Sequence, residues 1–257
     1  MDGSKISIIT PTYNSAKTIA DTINSVLSQD YPHIQHIIID NQSKDATLEI
    51  IETYKPQYAD KQITLAVSSQ PDNGIYDGMN RGIALSDGEI IGFLNSDDFF
   101  THSGVLSTIA KGFDDWGIDC VFGDLEYVDF ATLKTKRYWK SSPYAHNAFQ
   151  QGWHPPHPTF YAKKHIYKMY GNFSLAYKIA ADYEIMFRFL QIHQIHSKYI
   201  PQTFVKMRLG GKSNQSFKNI LLANFECLQA WRDNGVSPPL RLIPLKLLKK
   251  IMQYFNH

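Results

Sequence analysis

Residues 90–100 constrain the fold of this 257-residue chain more than any other stretch. They begin with an apolar run that is typical of a strand buried on both faces, and then break into a polar turn that ends in Asp97 and Asp98. Adjacent carboxylates between apolar flanks repel each other and are costly to remove from water. A divalent cation such as Mg²⁺ or Mn²⁺ removes that conflict. The alternative is a solvated turn in which Ser96 or Asp98 caps the next helix.

Strand and helix patterns alternate through the first hundred residues. Four apolar runs predict strands, near residues 6–10, 35–39, 63–67 and 90–94. The segments between them carry apolar residues at helical spacing, which predicts βαβ units and a mostly parallel α/β sheet covered by helices on both faces. Ligands of such sheets bind beyond the carboxyl ends of the strands, where Asp97 and Asp98 fall.

Composition and charge argue against several classes of protein. A net charge of +2 gives no overall attraction to nucleic acid, so we expect no nucleic-acid partner. The two cysteines, Cys120 and Cys227, lie far apart, which argues against a disulfide framework or a zinc site and favours a reducing compartment. The chain starts without the apolar core of a signal peptide, and no run approaches the length of a membrane span. We therefore expect a cytoplasmic protein.

The first strand-to-helix turn lacks the glycines of the common phosphate-binding loops. No glycine occurs between Gly3 and Gly74, so this turn is neither a dinucleotide-binding turn nor a phosphate loop. The later sequence at 210–213 ends in Gly-Lys-Ser, but it lacks the earlier glycine of a phosphate loop. If a nucleotide binds here, it must therefore be held mainly by side chains and a metal.

Four motifs then occur in order along the chain. They are Thr-Pro-Thr-Tyr-Asn at 10–14, Ile-Asp-Asn-Gln-Ser-Lys-Asp at 39–45, Asp-Asn-Gly-Ile-Tyr-Asp-Gly-Met-Asn-Arg-Gly at 72–82 and Leu-Asn-Ser-Asp-Asp at 94–98. Over roughly residues 5–210 the chain resembles the family 2 glycosyltransferases with the GT-A fold, particularly those that build bacterial surface polysaccharides. The resemblance implies a GT-A catalytic domain over 1–215. Because the pattern becomes all-helical from Ser216, we expect a helical C-terminal extension over 216–257.

The resemblance implies that three residues of the first turn, Thr10, Pro11 and Tyr13, pack against the base of a nucleotide. It also implies that Asp40 accepts a hydrogen bond from a uracil imide, which suits a carboxylate because it is only an acceptor. From the residues alone, Tyr13 is equally well a core aromatic and Asp40 a turn residue.

The same resemblance implies contacts with the rest of the donor. Arg81 lies near the base or the diphosphate, and Asp97 reaches the ribose. Asp98 holds Mn²⁺ or Mg²⁺, which bridges the diphosphate and offsets its charge. The alternative for Arg81 is an ordinary arginine on a helix surface.

A second carboxylate motif lies at 179–189. Asp182 falls in the first turn of a predicted helix, where the helix dipole stabilises a carboxylate, and that alone explains its position. The resemblance instead implies that Asp182 matches the family's catalytic base, although alanine replaces the acidic residue before it. Glu184 is the alternative base.

Three other places allow two interpretations each. Asp124 ends a predicted strand and either contacts a donor hydroxyl or forms a turn. His154 and His157 lie in an aromatic, proline-rich loop that suits sugar recognition or a metal ligand, or that is only structural. Arg208 and Lys212 either neutralise a diphosphate or belong to a plain C-terminal turn.

These patterns predict an inverting, metal-dependent glycosyltransferase that moves a hexose or N-acetylhexosamine from a UDP-sugar to a glycan or lipid-linked acceptor. One alternative is a nucleotidyltransferase that makes sugar nucleotides, but the turn at 10–15 has neither the glycine nor the arginine to grip a triphosphate. The other is a non-catalytic glycan-binding protein of the same fold, against which the retention of both Asp98 and Asp182 argues.

The tail at 240–255 predicts an amphipathic helix. One face is apolar and the other is polar and basic, with Ile243, Leu247, Leu248, Ile251, Met252 and Phe255 on the first and Lys246, Lys249, Lys250 and Gln253 on the second. This pattern favours peripheral contact with the cytoplasmic face of an anionic inner membrane. The alternative is a terminal helix packed on the catalytic domain or on a second subunit, with its lysines solvated.

Overall fold

The computed structural model describes residues 3–210 and 217–254. In chain order the first part contains β1 (Ile6–Thr12), α1 (Ile19–Leu27), β2 (Ile34–Asp40), α2 (Thr47–Asp60), β3 (Thr64–Ser69), α3 (Ile75–Leu85) and β4 (Ile90–Phe93). The second part contains β5 (Phe99–Phe100), α4 (Val105–Gly112), β6 (Cys120–Val128), β7 (Thr135–Trp139), β8 (Tyr161–Lys163), α5 (Lys164–Tyr170), α6 (Ala181–Phe187), β9 (Ser197–Arg208), α7 (Phe217–Asp233) and α8 (Leu242–Met252).

One mixed sheet runs through the described residues, in the order β3-β2-β1-β4-β8-β6-β9-β5, with β7 beside β6. The first four strands are parallel, whereas β8 runs antiparallel to both β4 and β6. The predicted α/β class is therefore confirmed, and the antiparallel strands belong to the second part of the chain. Thr12 pairs with Asp40, so the first two strands end at the same edge of the sheet.

Alternate residues of the parallel strands enter two separate cores. Ile8 and Ile38 pack on the face covered by α1, whereas Ile9 and Ile37 pack on the face covered by α3. This alternation follows from the period of two along a strand, and it explains why these strands are almost continuously apolar. The apolar stripe predicted for α1 is buried as expected.

β1 continues to Thr12, although a strand ending at Thr10 was expected because proline cannot donate to a sheet ladder. The ladder with β4 ends at Ile9, so Pro11 has only one neighbouring strand, β2. Because the strand continues, the turn that follows β1 begins at Tyr13.

The C-terminal helices pack on the same core as the sheet. Trp231 of α7 and Leu242 of α8 are almost completely buried and belong to one core cluster with Ile9 and Phe93. The predicted boundary at residues 215–216 lies outside the described residues. No helix of the described residues is long and apolar enough to cross a membrane.

Candidate active site

A cavity of about 990 Å³ opens at the carboxyl edge of the parallel strands. Its walls come from the turns that follow β1 and β4, from the start of α6, and from α7 and α8. Four carboxylates line it, those of Asp45, Asp72, Asp97 and Asp182. The cavity therefore joins the two carboxylate motifs that the sequence separates by more than 80 residues.

The turn after β4 directs its two aspartates differently. Asp97 lines the cavity, whereas Asp98 is completely buried and does not. The Asp98 carboxyl accepts hydrogen bonds from Asn95 Nδ2 at 3.0 Å and from the backbone N–H of Arg208 at 3.3 Å. The prediction that Asp98 faces a metal therefore needs correction, because its carboxyl is completely buried and lies off the cavity wall. Asp97 is the carboxylate that faces the cavity.

Asn95 completes this turn in a way that the sequence did not indicate. Its Nδ2 group is directed at Asp98, so its Oδ1 atom faces away from that carboxyl. Oδ1 is buried and has no hydrogen-bond partner. An amide oxygen without a donor is a site for a hydroxyl group or a hard cation.

Arg208, the last residue of β9, also contacts this turn. Its guanidinium donates to the carbonyl oxygen of Asp97 at 2.7 Å and pairs with the Asp21 side chain of α1. Because Arg208 is buried and held in this way, it does not line the cavity, and this position does not support its predicted role at a diphosphate. Lys212 lies outside the described residues.

Burial is the main cause of the raised pKa values of Asp97 and Asp98. Burial raises the pKa of Asp97, and the charge of Arg208 offsets only part of that increase. Burial and the neighbouring Asp97 charge raise the pKa of Asp98 well above its usual range. A cation in front of Asp97 would favour its charged form.

The predicted base-binding residues divide into two groups. Pro11 and Tyr13 line the cavity, and Tyr13 is 53% exposed, so it is not a core aromatic. Thr10 is completely buried and bonds His36 Nε2 at 2.9 Å, so it does not reach the cavity.

Asp40 and Arg81 also have protein partners instead of facing the cavity. The buried Asp40 carboxylate accepts from the Ser43 backbone N–H at 3.0 Å and from Ser69 Oγ at 2.6 Å, as a turn residue does. Arg81 donates to the carbonyl oxygen of Pro71 at 2.6 Å. Arg81 therefore holds the loop that carries Asp72 to the cavity wall.

Asp182 lies in the first turn of α6, as the helix pattern predicted, and it lines the cavity. Its Oδ1 atom accepts from the Tyr183 backbone N–H at 2.8 Å and faces the Tyr76 hydroxyl at 3.4 Å. Glu184 is buried in a two-bond ion pair with Arg188, at 2.8 and 3.0 Å. Glu184 is therefore unsuited to the alternative role of base.

Glu226 of α7 holds the segment that leads into α6. Its buried carboxylate accepts from the backbone N–H groups of Lys178, Ile179 and Ala180, at 2.9, 2.9 and 2.8 Å. A carboxylate with three backbone donors makes strong, charge-assisted bonds. The sequence did not reveal this residue, because Glu226 lies 44 positions after Asp182 in an ordinary amphipathic helix.

Both histidines of the aromatic loop line the cavity. His157 stacks on Phe93 with ring centroids 5.3 Å apart, and burial lowers its pKa. Burial also lowers the pKa of His154 to about 3, so both rings are neutral near pH 7. Asp124 does not line the cavity, because it accepts bonds from Tyr138, Ser141 and Tyr199.

The orientation of α8 differs from the predicted amphipathic helix. Lys246, Lys249 and Lys250 line the cavity, with Lys246 and Lys250 partly buried and Lys249 exposed. Gly152 allows this approach, because a Cβ there would lie 2.7 Å from the carbonyl carbon of Leu245. The apolar residues Leu248 and Ile251 remain exposed on the outer side.

In residues 3–210 and 217–254, no group of three or more His, Cys, Asp or Glu side chains could hold a metal ion. Asp97 and Asn95, two residues apart, both line the cavity and carry hard oxygen atoms. Such a set suits Mg²⁺ or Mn²⁺, which are often held by one or two carboxylates together with substrate phosphates.

Comparisons with known proteins identify relatives of this chain. Residues 7–182 match the family described as Glycosyl transferase family 2. Over 210 residues the chain is 25% identical to a PGL/p-HBAD biosynthesis glycosyltransferase of Mycobacterium bovis, covering 81% of this chain and 78% of that protein. Over 132 residues it is 33% identical to the poly(ribitol-phosphate) beta-N-acetylglucosaminyltransferase TarS of Staphylococcus aureus, covering 44% of this chain and 22% of TarS.

Two solved structures share the fold. S. aureus TarS 1-349 gives a TM-score of 0.69 at 20% identity, covering 98% of this chain and 72% of that one. The mannosyltransferase PcManGT of Pyrobaculum calidifontis gives a TM-score of 0.68 at 16% identity, covering 98% and 70%. The chain spans 44% of the longer TarS chain.

Replacing each aspartate of the turn by alanine tests their opposite orientations. Asp98→Ala removes the acceptor of two buried donors, so we expect a loss of about 1–3 kcal/mol in the free energy of unfolding. Asp97→Ala, the matched control, should change it by less than about 0.5 kcal/mol. Urea denaturation of both variants measures this difference. Wild-type stability in Asp98→Ala would contradict the assignment of Asp98 as a buried structural group.

Proposed function

This chain is a member of glycosyltransferase family 2, and we propose that it is an inverting, metal-dependent enzyme. It transfers a hexose or N-acetylhexosamine from a UDP-sugar to a glycan or lipid-linked acceptor. The reaction belongs to surface polysaccharide biosynthesis. The observation that carries this proposal is the shared cavity, in which Asp97 and Asp182 face the same space. Through a bound metal, Asp97 suits the diphosphate side of a donor. Asp182 suits an acceptor hydroxyl.

The donor class is supported by similar folds with bound donors. One TarS 1-349 structure is a complex with UDP-GlcNAc, and the PcManGT structure is a complex with GDP-Man and Mn²⁺. We assign the base to the Pro11–Tyr13 side of the cavity, where the exposed Tyr13 ring offers a stacking face. Thr10, Asp40 and Arg81 then act by holding the surrounding loops.

Asp97 and Asn95 would hold Mn²⁺ or Mg²⁺. The partnerless Asn95 oxygen and the desolvated Asp97 carboxylate both gain from a cation, and the diphosphate of the donor supplies further oxygen ligands. A bound metal offsets the negative charge that develops on the departing diphosphate. The same two side chains also suit the ribose hydroxyls of a nucleotide.

Asp182 acts as general base in a single displacement. The acceptor oxygen forms a bond to the anomeric carbon while the bond from that carbon to the diphosphate oxygen breaks, and the hydroxyl proton moves to the Asp182 carboxylate. The carboxylate is held in place by the Tyr183 N–H, and its segment is held by Glu226. This arrangement fixes the base before the acceptor binds.

The most direct test is to measure nucleotide release from a panel of UDP-sugars with and without Mn²⁺. We expect one UDP-sugar to release UDP in a metal-dependent way. Turnover of a sugar 1-phosphate and a nucleoside triphosphate would instead indicate a nucleotidyltransferase. Binding of a glycan without any donor turnover would indicate a non-catalytic protein.

Asp182→Asn tests the base. Because asparagine keeps the shape but is not basic, kcat should fall by ~10²–10⁴-fold while the Kd for UDP stays near that of the wild type. Asp45→Asn, which alters another carboxylate of the cavity, should leave kcat nearly unchanged. Steady-state kinetics and calorimetric titration provide the two readouts. An unchanged kcat, or loss of UDP binding together with kcat, would contradict the assignment.

Asp97→Ala tests the metal. Chelation should abolish turnover in the wild type, and added Mn²⁺ should strengthen UDP binding. In Asp97→Ala we expect turnover to fall by at least ~10²-fold, because the charge on the leaving diphosphate is no longer offset, and the Mn²⁺-dependent part of UDP binding should be lost. Asp72→Asn, with its carboxylate elsewhere in the cavity, should retain the metal response. Chelator-resistant turnover would exclude the metal mechanism.

Peripheral contact with the cytoplasmic face of the inner membrane is also part of the proposal. The outer side of α8 exposes Leu248 and Ile251 by 53% and 56%. Apolar side chains of this kind suit the boundary between lipid headgroups and acyl chains. Because Lys246 and Lys250 are partly buried at the cavity, this helix would bind the membrane mainly by burying these apolar side chains.

Charged substitutions on the outer side of α8 test that contact. Glutamate in place of both Leu248 and Ile251 should weaken co-sedimentation with anionic vesicles, by roughly tenfold for each apolar side chain that no longer enters the bilayer. Met169→Glu changes an exposed apolar residue of α5 and serves as the control. Equal pelleting of the wild type and the double variant would contradict membrane contact through α8.

A further inference from the structure

A second group of charges lies in the cavity, beside the proposed base. Lys246 of α8 donates to Cys227 Sγ at 2.8 Å, and its Nζ atom lies 5.0 Å from the centroid of the Tyr183 ring. Tyr183 directly follows Asp182, yet Lys246 and Asp182 form no ion pair in the part of the chain that the structure describes. The lysine charge is therefore close to the base without being neutralised by it.

Arg137 of β7 contributes a buried guanidinium to the same cavity. Arg137 is only 3% exposed, and its guanidinium carbon lies 3.6 Å from the centroid of the Tyr127 ring. Its Nε atom is buried without a hydrogen-bond partner. Among residues 3–210 and 217–254, no carboxylate forms an ion pair with it. A buried cation without an anion is unfavourable, so this site favours a negatively charged ligand.

Lys250 joins the two cations into one group. Burial lowers the pKa of Lys250, and the charges of Arg137 and Lys246 lower it further. All three side chains line the same cavity, so their positive charges repel one another. An anion between them would relieve this repulsion.

We propose that Arg137, Lys246 and Lys250 bind a phosphoryl group of the acceptor, an inference that rests on the proposed glycosyl transfer. Arginine binds phosphate oxygens through its planar fork, and lysine binds them as a compact charge. The acceptor is then a phosphorylated glycan, and its phosphoryl group lies near the hydroxyl that Asp182 deprotonates.

The position of these cations favours the acceptor over the donor. The proposed diphosphate site is at Asn95 and Asp97, in the turn after β4, whereas Lys246 and Lys250 lie on the C-terminal helix α8. The outer side of this helix exposes the apolar residues proposed to contact the bilayer. One helix would thus meet both parts of a phosphorylated lipid-linked acceptor, although a phosphodiester polymer offers the same phosphoryl group.

Calorimetric titration of the full chain, saturated with UDP and Mn²⁺, tests this site. With the donor site occupied, the probes are inorganic phosphate, geranyl diphosphate and glycerophosphoglycerol. We expect the wild type to bind at least one organic probe. The affinity for that probe should be weaker by roughly tenfold or more in Lys246→Gln and in Lys250→Gln, because each variant loses a charged contact. Lys111→Gln, an equal charge change at an exposed residue of α4, is the matched control. Arg137 is buried, and its replacement risks unfolding the protein, so the two lysine variants carry the test.

The outcomes separate this inference from the proposed function. Stronger binding of geranyl diphosphate supports a lipid-linked acceptor, and stronger binding of glycerophosphoglycerol supports a phosphodiester polymer. No binding of any probe, or equal binding by wild type and variants, overturns the acceptor site. Weaker UDP binding in the variants assigns the cations to the donor and overturns the inference, but it leaves glycosyl transfer intact. Failure of wild-type protein to bind UDP overturns the proposed function and the inference with it.

Discussion

The buried contact between Asp98 and the end of β9 is the interaction on which the site depends most. Asp98 accepts from the Arg208 backbone and from Asn95, while the Arg208 guanidinium reaches the Asp97 carbonyl and Asp21 of α1. Three distant segments thus meet at one turn. Removing one partner from such a buried group leaves the others unsatisfied, which is much more costly than losing an exposed ion pair. The geometry of Asp97 and Asn95 is therefore set before any ligand binds.

A second buried carboxylate serves the other half of the cavity in the same way. Glu226 gathers three backbone N–H groups ahead of α6, and that helix carries Asp182. Two of the carboxylates that line the cavity, Asp97 and Asp182, are thus supported by buried acidic residues that do not face it. Pre-organisation of this kind reduces the reorganisation that a reacting site would otherwise need.

Periodicity and turn residues were sufficient to predict the parallel half of the sheet, and four ordered motifs were sufficient to predict the family. The exposure of Asp97 and the burial of Asp98 could not be predicted, because adjacent residues of a turn are distinguished by partners from β9, more than 100 residues away. The same holds for Asp40 and Arg81, whose partners come from β3 and from the loop that follows it. For α8, the amphipathic pattern was visible, but the side that packs inward depends on close contact with Gly152. Local patterns therefore predicted elements and motifs, whereas tertiary contacts decided which side chains face the cavity.

A crystal structure with bound UDP and Mg²⁺ tests the central claim, that the turn after β4 presents Asp97 to a metal–diphosphate group while Asp98 supports it from within. The account predicts a metal about 2.0–2.1 Å from an Asp97 oxygen, with the base against Tyr13 and the diphosphate directed towards Asp182. A metal bound by Asp98, or a nucleotide bound outside this cavity, would contradict it.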